Sequence, residues 1–153
     1  PSSMDEEKMK AMLETARAQF DYILIDSPAG LGSGFRLAVC GADRAVVVST
    51  NDSSALRDAQ RTVVELGRRL DTIHLVMNRI QPKLLRRLRT TIDDAMDAAG
   101  LPLLGVVPED SQVILAANTG EPLILFSRKG AALAYLNIAK RLMGQRVPLM
   151  KIR

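Results

Sequence analysis

The strongest fold signal in the chain is the stretch Phe20-Asp21-Tyr22-Ile23-Leu24-Ile25-Asp26-Ser27-Pro28-Ala29-Gly30. The run from Tyr22 to Ile25 is apolar and β-favouring without polar alternation, which is typical of a strand buried on both faces in a parallel sheet. It ends at Asp26, and ligands of open α/β sheets bind outside the carboxyl ends of strands. A strand that delivers one acid into a Gly-rich loop suits Mg²⁺ held beside a phosphate. The same pattern is also common turn chemistry, so both interpretations stay open here.

Length and composition indicate a soluble globular protein. A chain of 153 residues predicts about one domain, which we take as residues 1–153. Only 3% of the residues are aromatic, which argues against a stacking platform for bases. The single cysteine excludes an internal disulfide and suits a reducing cytoplasm. No apolar run approaches the roughly 20 residues of a membrane span.

The charge is uneven along the chain. No Asp or Glu follows Glu121, whereas the last stretch carries seven cations: Arg128, Lys129, Lys140, Arg141, Arg146, Lys151 and Arg153. A basic end of this kind suits an anionic membrane surface or nucleic acid. A solvated face is the commoner explanation for such a cluster, and the sequence leaves both open.

Three further buried strands are predicted beyond the opening stretch, at Ala45 to Thr50, His74 to Met77 and Leu103 to Val107. Helical patterns separate them, and Ser3 with Glu6 resembles a capping box for a first helix. Because strands and helices alternate, we expect an α/β fold with a mainly parallel sheet flanked by helices. Leu123 to Phe126 is expected to be a short extended piece.

The segment from Pro82 to Ala99 is predicted to form two elements. As one helix it would carry its cations at the positive end and its acids at the negative end, against the macrodipole. Thr91 with Asp94 offers a fresh cap, so a second helix is expected to start near Thr91. The basic run before it, which includes Lys83 and Arg86, then becomes a surface turn or short helix.

Polar residues follow three predicted strands: Asp26, Asn78 with Arg79, and Glu109 with Asp110. In a parallel sheet these corners share one edge, so we expect them to converge on one ligand. The sequence contains no Gly-x-x-x-x-Gly-Lys-Ser/Thr motif, and the glycines after Asp26 also miss the dinucleotide fingerprint. The chain therefore offers half of a nucleotide site. His74, the only histidine, is interpreted as structural.

These motifs occur in an order that resembles the C-terminal half of the MinD family, the septum-placing ATPases of the deviant-Walker group that includes the ParA partition ATPases. The resemblance is carried by Phe20 to Gly34, Gly41 to Val48, Arg57 to Ala59, Asn78-Arg79, Gly105 to Asp110, Asn118 to Pro122 and Tyr135 to Leu142. It implies a partial P-loop NTPase-like fold that lacks the N-terminal phosphate-loop unit, which would precede Pro1. Without that loop the chain alone is expected to be inactive, because phosphoryl transfer depends on positioning and charge stabilisation.

The resemblance also assigns site residues for ATP and Mg²⁺. Asp26 matches the Walker B acid that orders Mg²⁺ through water, and the loop that responds to the terminal phosphate is Ser27, Pro28, Ala29 and Gly30. The positions beside the adenine are Asn78, Arg79, Pro108, Glu109 and Asp110. The helix surface that receives MinC- and MinE-like partners carries Ser54, Arg57, Asp58 and Arg61. Gln60 departs from the family there, where an acid is usual.

The resemblance implies a cytoplasmic protein, peripheral to the inner face of the cell membrane. The intact form would be a homodimer when ATP is bound and would reach the anionic inner membrane through a C-terminal helix that this sequence does not contain. Two alternatives remain. One is a non-enzymatic partner-docking module of the Min system. The other, less favoured because aromatic residues are scarce, is a ParA-like DNA-binding module that uses the basic run from Lys83 to Arg89 and the basic tail.

Overall fold

The computed structural model describes residues 4–88 and 91–150 of the chain. Its strands are β1 (Ala45–Ser49), β2 (Ile73–Ile80) and β3 (Leu103–Pro108). Its helices are α1 (Glu6–Arg17), α2 (Ser33–Val39), α3 (Ser53–Leu66), α4 (Pro82–Leu88), α5 (Ile92–Ala99), α6 (Ser111–Thr119), α7 (Leu123–Phe126) and α8 (Gly130–Leu142).

The three strands form one open sheet in the order β1-β2-β3, and both pairings are parallel. In the register, Val47 lies beside Leu75, and Leu75 in turn lies beside Leu103. The parallel α/β architecture expected from the alternation of strands and helices is therefore confirmed. All three strands point their carboxyl ends to one edge, where the polar corners of β2 and β3 lie.

Each face of the sheet is covered by helices because successive side chains of a strand alternate between faces. On one face, Leu75 and Met77 of the middle strand pack with α3 and α5 in the larger apolar cluster. On the other, Val76 and Val107 pack against Ala134 and other residues of α8. The middle strand is thus buried on both sides, the environment that its apolar run requires.

The predicted strand at Tyr22 to Ile25 is wrong. Residues 22–28 form neither a helix nor a strand and pair with no strand in the described part of the chain. Tyr22 is 65% exposed and Leu24 90% exposed. The apolar run indicates a tendency to form a buried strand, but a strand forms only where a neighbouring strand is present to pair with it. Among residues 4–88 and 91–150 the sheet ends at β1.

The end of helix α1 is hydrogen-bonded to residues just before β1. Its last residue, Arg17, donates to both carboxylate oxygens of Asp43 at 3.0 Å and to the carbonyl oxygen of Gly41 at 2.9 Å. This ion pair lowers the pKa of the Asp43 carboxyl. The predicted cap at Ser3 lies outside the described residues; the helix is capped by Asp5, which accepts from the Lys8 amide at 2.9 Å.

The split of the segment from Pro82 to Ala99 is confirmed. Thr91 and Asp94 form a reciprocal capping box at the start of α5, and Gly100 closes the helix with a φ of 66°. The extended piece expected at Leu123–Phe126 is wrong, because these residues form a single helical turn, α7. Pro122 begins that turn, and its carbonyl oxygen accepts from the amide of Leu125 at 2.9 Å.

Candidate functional site

Asp26 follows the unpaired segment 22–25, and its side chain is exposed. It makes no hydrogen bond or ion pair with any of the residues that the structure describes. The loop behind it folds back on itself: a Cβ on Gly34 would lie 2.6 Å from Cγ of Pro28. Gly30 adopts a φ of 87°, a conformation that side chains with a Cβ rarely take. The loop thus presents one free carboxylate to solvent.

Near the carboxyl end of β2, Arg79 has a φ of 55°, which is unusual for a residue with a side chain, and the register with β3 shifts between Met77 and Ile80. The side-chain oxygen of Asn78 accepts from the Arg79 amide at 3.0 Å. Nη2 of Arg79 then donates to Oε1 of Glu109 at 3.1 Å, and the Glu109 amide donates to the Ile80 carbonyl at 3.0 Å. The structure therefore brings together the predicted residues at the ends of β2 and β3.

Gln81 belongs to the same corner although no sequence motif marks it. Its side-chain amide donates to Oε2 of Glu109, so this carboxylate is held from two sides. The hydrogen bonds from Gln81 and, next, from Arg79 lower the pKa of the Glu109 carboxyl. Through these two hydrogen bonds Glu109 links the ends of β2 and β3 into one unit.

Asp110 holds two helices in place. Its Oδ1 accepts from the Gln112 amide at 3.0 Å, which caps α6, and its Oδ2 accepts from the Ala131 amide at 3.1 Å at the start of α8. Gly130 precedes that amide with a φ of 52°, and a Cβ there would collide with the same carboxylate oxygen. Both oxygens of Asp110 are therefore engaged in helix caps, while Pro108 ends β3 just before them.

The fit of a magnesium ion depends on Asp26. Among the described residues no three His, Cys, Asp or Glu side chains form a group that would hold a metal ion by themselves. Mg²⁺ in phosphate sites is bound by one or two carboxylates, several waters and the phosphate oxygens. An exposed, unpaired carboxylate such as Asp26 fits that role. No hydrogen bond in the described part of the chain joins Asp26 to the corner formed by Arg79 and Glu109.

Helix α3 starts at a well-formed cap. Oδ1 of Asp52 accepts from the Ala55 amide at 2.9 Å and from the Ser54 hydroxyl at 2.6 Å, and the hydroxyl of Thr50 donates to Oδ2. These bonds, led by the one from Ser54, hold the pKa of the Asp52 carboxyl far below its usual range. Ser54, a predicted partner residue, is therefore engaged in this cap.

The other predicted partner residues lie on the outward face of α3. The side chains of Asp58 and Arg61 are each 76% exposed and 3.8 Å apart, and Arg57 is exposed beside them. The side-chain amide of Gln60 donates to the Ala98 carbonyl and ties α3 to α5. The three charged side chains are therefore exposed to solvent, and the helix that carries them is held to α5 by the hydrogen bond of Gln60.

Solved structures with this fold define the class of protein. The chain matches the MinC:MinD cell division protein complex of Aquifex aeolicus with a TM-score of 0.90 and 32% identity, over 98% of this chain and 63% of that chain. It matches MinD from Pyrococcus horikoshii, solved in complex with Mg-ADP, with a TM-score of 0.76 and 27% identity, over 90% of this chain and 56% of that one. The open parallel sheet is therefore that of the P-loop NTPase class.

Sequence relatives define the family. Septum site-determining protein MinD of Bacillus subtilis is 41% identical over 146 residues, which cover 94% of this chain and 54% of that protein. No protein-family model matches the chain. The chain belongs to the MinD family, and it spans about half the length of the curated relatives it matches. No helix among residues 4–88 and 91–150 has the length and apolarity needed to cross a membrane.

Proposed function

We propose that residues 1–153 form one α/β domain that serves as the nucleotide- and partner-facing part of a MinD-type ATPase acting in division-site placement. The observation that carries the proposal is the exposed, unpaired carboxylate of Asp26 at the head of a Gly-rich loop, in a chain of this family. The MinD of P. horikoshii, a structural neighbour, was solved with Mg-ADP, which supports the same ligand class here.

Each part of the candidate site has a role in this proposal. Asp26 orders Mg²⁺ through water, and the loop that follows, Ser27, Pro28, Ala29 and Gly30, responds to the terminal phosphate. The corner made by Asn78, Arg79, Pro108, Glu109 and Asp110 would receive the base. When bound, Mg²⁺ would neutralise part of the negative charge of the phosphates. The hydrogen bonds from Arg79 and Gln81 to Glu109 would hold this corner in place when the base binds.

Turnover requires more than these residues. The 153-residue sequence contains no phosphate loop with its lysine, and phosphoryl transfer depends almost entirely on positioning and electrostatic stabilisation. We therefore propose that the chain alone binds Mg-nucleotide weakly and does not hydrolyse it. ATP-linked dimerisation and attachment to the anionic inner membrane belong, in this proposal, to the intact protein.

Titration of the ¹⁵N-labelled chain with Mg-ADP tests the nucleotide site even when binding is weak. We expect amide shifts at residues 26–30, 78–79 and 109–110, with no ATP turnover in a phosphate-release assay. Asp26→Asn should remove the magnesium dependence of these shifts, because the amide loses the charge that attracts the hydrated ion. Asp71→Asn, at an exposed aspartate just before the amino end of β2, is the matched control and should change nothing.

Two results would contradict the nucleotide proposal. One is magnesium dependence that survives in Asp26→Asn. The other is a set of shifts confined to residues away from the carboxyl edge of the sheet. Rapid ATP hydrolysis by the chain alone would refute the further claim that a phosphate loop is essential.

We also propose that the outward face of α3 docks MinC- and MinE-like partners through Arg57, Asp58 and Arg61, with Ser54 at its start. The solved complex of A. aeolicus MinD with MinC supports MinC as a partner class. The charged side chains are exposed while Gln60 anchors the helix from behind, so the face is free for a partner. This docking does not require hydrolysis, which accommodates the non-enzymatic interpretation as well.

Capture of purified A. aeolicus MinC by the immobilised chain tests the α3 surface. We expect Asp58→Ala to weaken capture about tenfold or more, because charged contacts in a binding interface are worth a few kcal/mol when one partner is removed. Arg68→Ala is the control: Arg68 is also exposed and paired, to Glu65 at 2.8 Å, but lies beyond the end of α3. Equal capture by wild type and Asp58→Ala would exclude this face.

A further inference from the structure

A turn at the end of α8 brings the following residues back onto the helix. Gly144 adopts a φ of 80°, a conformation that side chains with a Cβ rarely take. The Gln145 amide then donates to the carbonyl of Lys140, in the last turn of α8, at 2.9 Å. Met150 packs against the apolar cluster under α8. The segment 145–150 therefore folds back against the rest of the domain.

Arg141 joins this segment to the sheet through one guanidinium group. Its Nε donates to the Val147 carbonyl at 3.0 Å, and its Nη2 donates to the Pro148 carbonyl at 2.6 Å. Its Nη1 donates to the Leu104 carbonyl of β3 at 2.7 Å. A guanidinium carries five N–H donors, so these three bonds fix its position and leave further donors unused within the described ranges.

The charge of Arg141 has no counterion among the residues that the structure describes. All three of its hydrogen bonds go to backbone carbonyls, and no carboxylate side chain in residues 4–88 and 91–150 pairs with it. No Asp or Glu follows Glu121 in the sequence. A carbonyl oxygen satisfies an N–H group but does not neutralise the cation. Because the side chain is partly buried, this unbalanced charge favours the approach of an anion.

Arg141 also lines a cleft of about 450 Å³, which we call the tail cleft, together with Gln145, Arg146, Val147 and Pro148. Arg146 is exposed, and neither its guanidinium nor the side-chain amide of Gln145 makes a hydrogen bond in the described part of the chain. Cations in the last turn of a helix complement its dipole, and Arg141 has that role too. Arg146 lies beyond the helix and has no carbonyl partner among the described residues, so the dipole does not explain its place in the cleft.

We propose that the tail cleft binds a phosphate group, either free or carried by a small organic ester or a lipid headgroup. Guanidinium groups match phosphate oxygens with paired N–H donors, and two of them line this cleft. The side-chain amide of Gln145 supplies a further donor. Val147 and Pro148 provide an apolar wall for the organic part of an ester.

The tail cleft is separate from the candidate nucleotide site. Leu104, which Arg141 contacts, lies near the amino end of β3, whereas Glu109 and Asp110 follow the carboxyl end of the same strand. At about 3.3 Å per strand residue, Leu104 and Glu109 are roughly 15 Å apart. The two sites therefore lie at opposite edges of the sheet, and a phosphate in the tail cleft does not depend on nucleotide binding at the other edge.

Titration of the ¹⁵N-labelled chain with inorganic phosphate tests the tail cleft, with sodium chloride adjusted to keep the ionic strength constant. We expect saturable amide shifts at residues 145–147 and at the side-chain amide of Gln145. Arg146→Gln should weaken binding about tenfold, because it removes one of the two charged donors. Arg128→Gln is the matched control: Arg128 is exposed in the same basic stretch but does not line the cleft. This variant loses the same charge and should bind phosphate like the wild type.

Two further probes identify the source of the phosphate. Shifts at the same amides with glycerol phosphate, weakened in Arg146→Gln, would identify a soluble ester. Sedimentation with vesicles of phosphatidylcholine and phosphatidic acid, dependent on Arg146 but not on Arg128, would identify a lipid headgroup. Binding of inorganic phosphate without either of these would identify the free ion.

Two results would overturn the tail cleft. One is equal phosphate affinity of Arg146→Gln and Arg128→Gln, since only the overall charge of the chain would then matter. The other is the absence of saturable shifts at residues 145–147, a measurement on the wild type that needs no variant. Phosphate shifts confined to residues 26–30 belong to this second result, because they would place the anion at the nucleotide edge.

Discussion

Replacing Leu75 by alanine is expected to lower the free energy of unfolding by about 2–5 kcal/mol, the range for a leucine removed from a close-packed core. Leu75 is 0% exposed in the middle strand, with strand neighbours on both sides. Truncation would leave a cavity between the sheet and the helices α3 and α5, because the surrounding side chains relax only partially. Urea unfolding followed by circular dichroism measures the loss as a shift of the midpoint at unchanged slope.

Leu24→Ala is the matched control for this prediction. Leu24 is also a leucine in an apolar run, but it is 90% exposed, so the same truncation should change the free energy of unfolding by no more than about 0.5 kcal/mol. A cost at residue 24 comparable to that at residue 75 would show that the opening stretch is buried in the free chain after all. Comparison of the two variants thus distinguishes an apolar run that only has the composition of a strand from one that forms a buried strand.

The parts of the fold that sequence reasoning predicted correctly are those determined locally. The strands β1, β2 and β3 follow from short apolar runs bounded by turns, and the break before α5 follows from the Thr91–Asp94 capping box. Each signal lies within a few residues of the feature that it specifies. The proximity of the polar residues Asn78 and Arg79 to Glu109 could also be predicted, because the carboxyl ends of parallel strands lie at one edge of the sheet.

The errors concern features that depend on distant partners. The run from Tyr22 to Ile25 has the composition of a central strand, but strand pairing is non-local and no neighbour is present within the described residues. Gln81 was missed because its importance comes from Glu109, which lies 28 residues away along the chain. At α7, four apolar residues have no periodicity long enough to separate a helical turn from an extended piece.

The candidate site contains acidic residues of two kinds, which the sequence alone does not distinguish. Glu109 is clasped between Arg79 and Gln81, and Asp110 caps α6 and the start of α8, whereas Asp26 has no partner among the described residues. The first two maintain the shape of the corner. Asp26 is the carboxylate free to meet a cation, which is why the magnesium proposal depends on it and not on the others.

A Gly105→Ala variant is expected to destabilise the chain by about 1–3 kcal/mol, the usual cost of overpacking a filled core. Gly105 is buried in β3 under α8, and a Cβ there would lie 2.8 Å from Cδ1 of Ile138 and closer still to its Cγ1. The strand and helix would have to separate or Ile138 would have to leave its rotamer. The control is Gly32→Ala, where a Cβ meets nothing within 4 Å; it should cost at most about 1 kcal/mol, the loss of a favourable N-cap residue of α2.

The assignment of this cost to Ile138 can be isolated with a double-mutant cycle. Ile138→Ala alone should cost about 2–5 kcal/mol, because the side chain packs against the strands in the α8 cluster. In the double variant the new methyl on residue 105 occupies space that the truncated side chain has vacated. The combined loss should therefore be smaller than the sum of the single losses by about 1 kcal/mol or more. If the two losses of stability were strictly additive, the contact with Ile138 would not explain the cost of Gly105→Ala. The close approach of α8 to β3 would then not be the reason for glycine at this position.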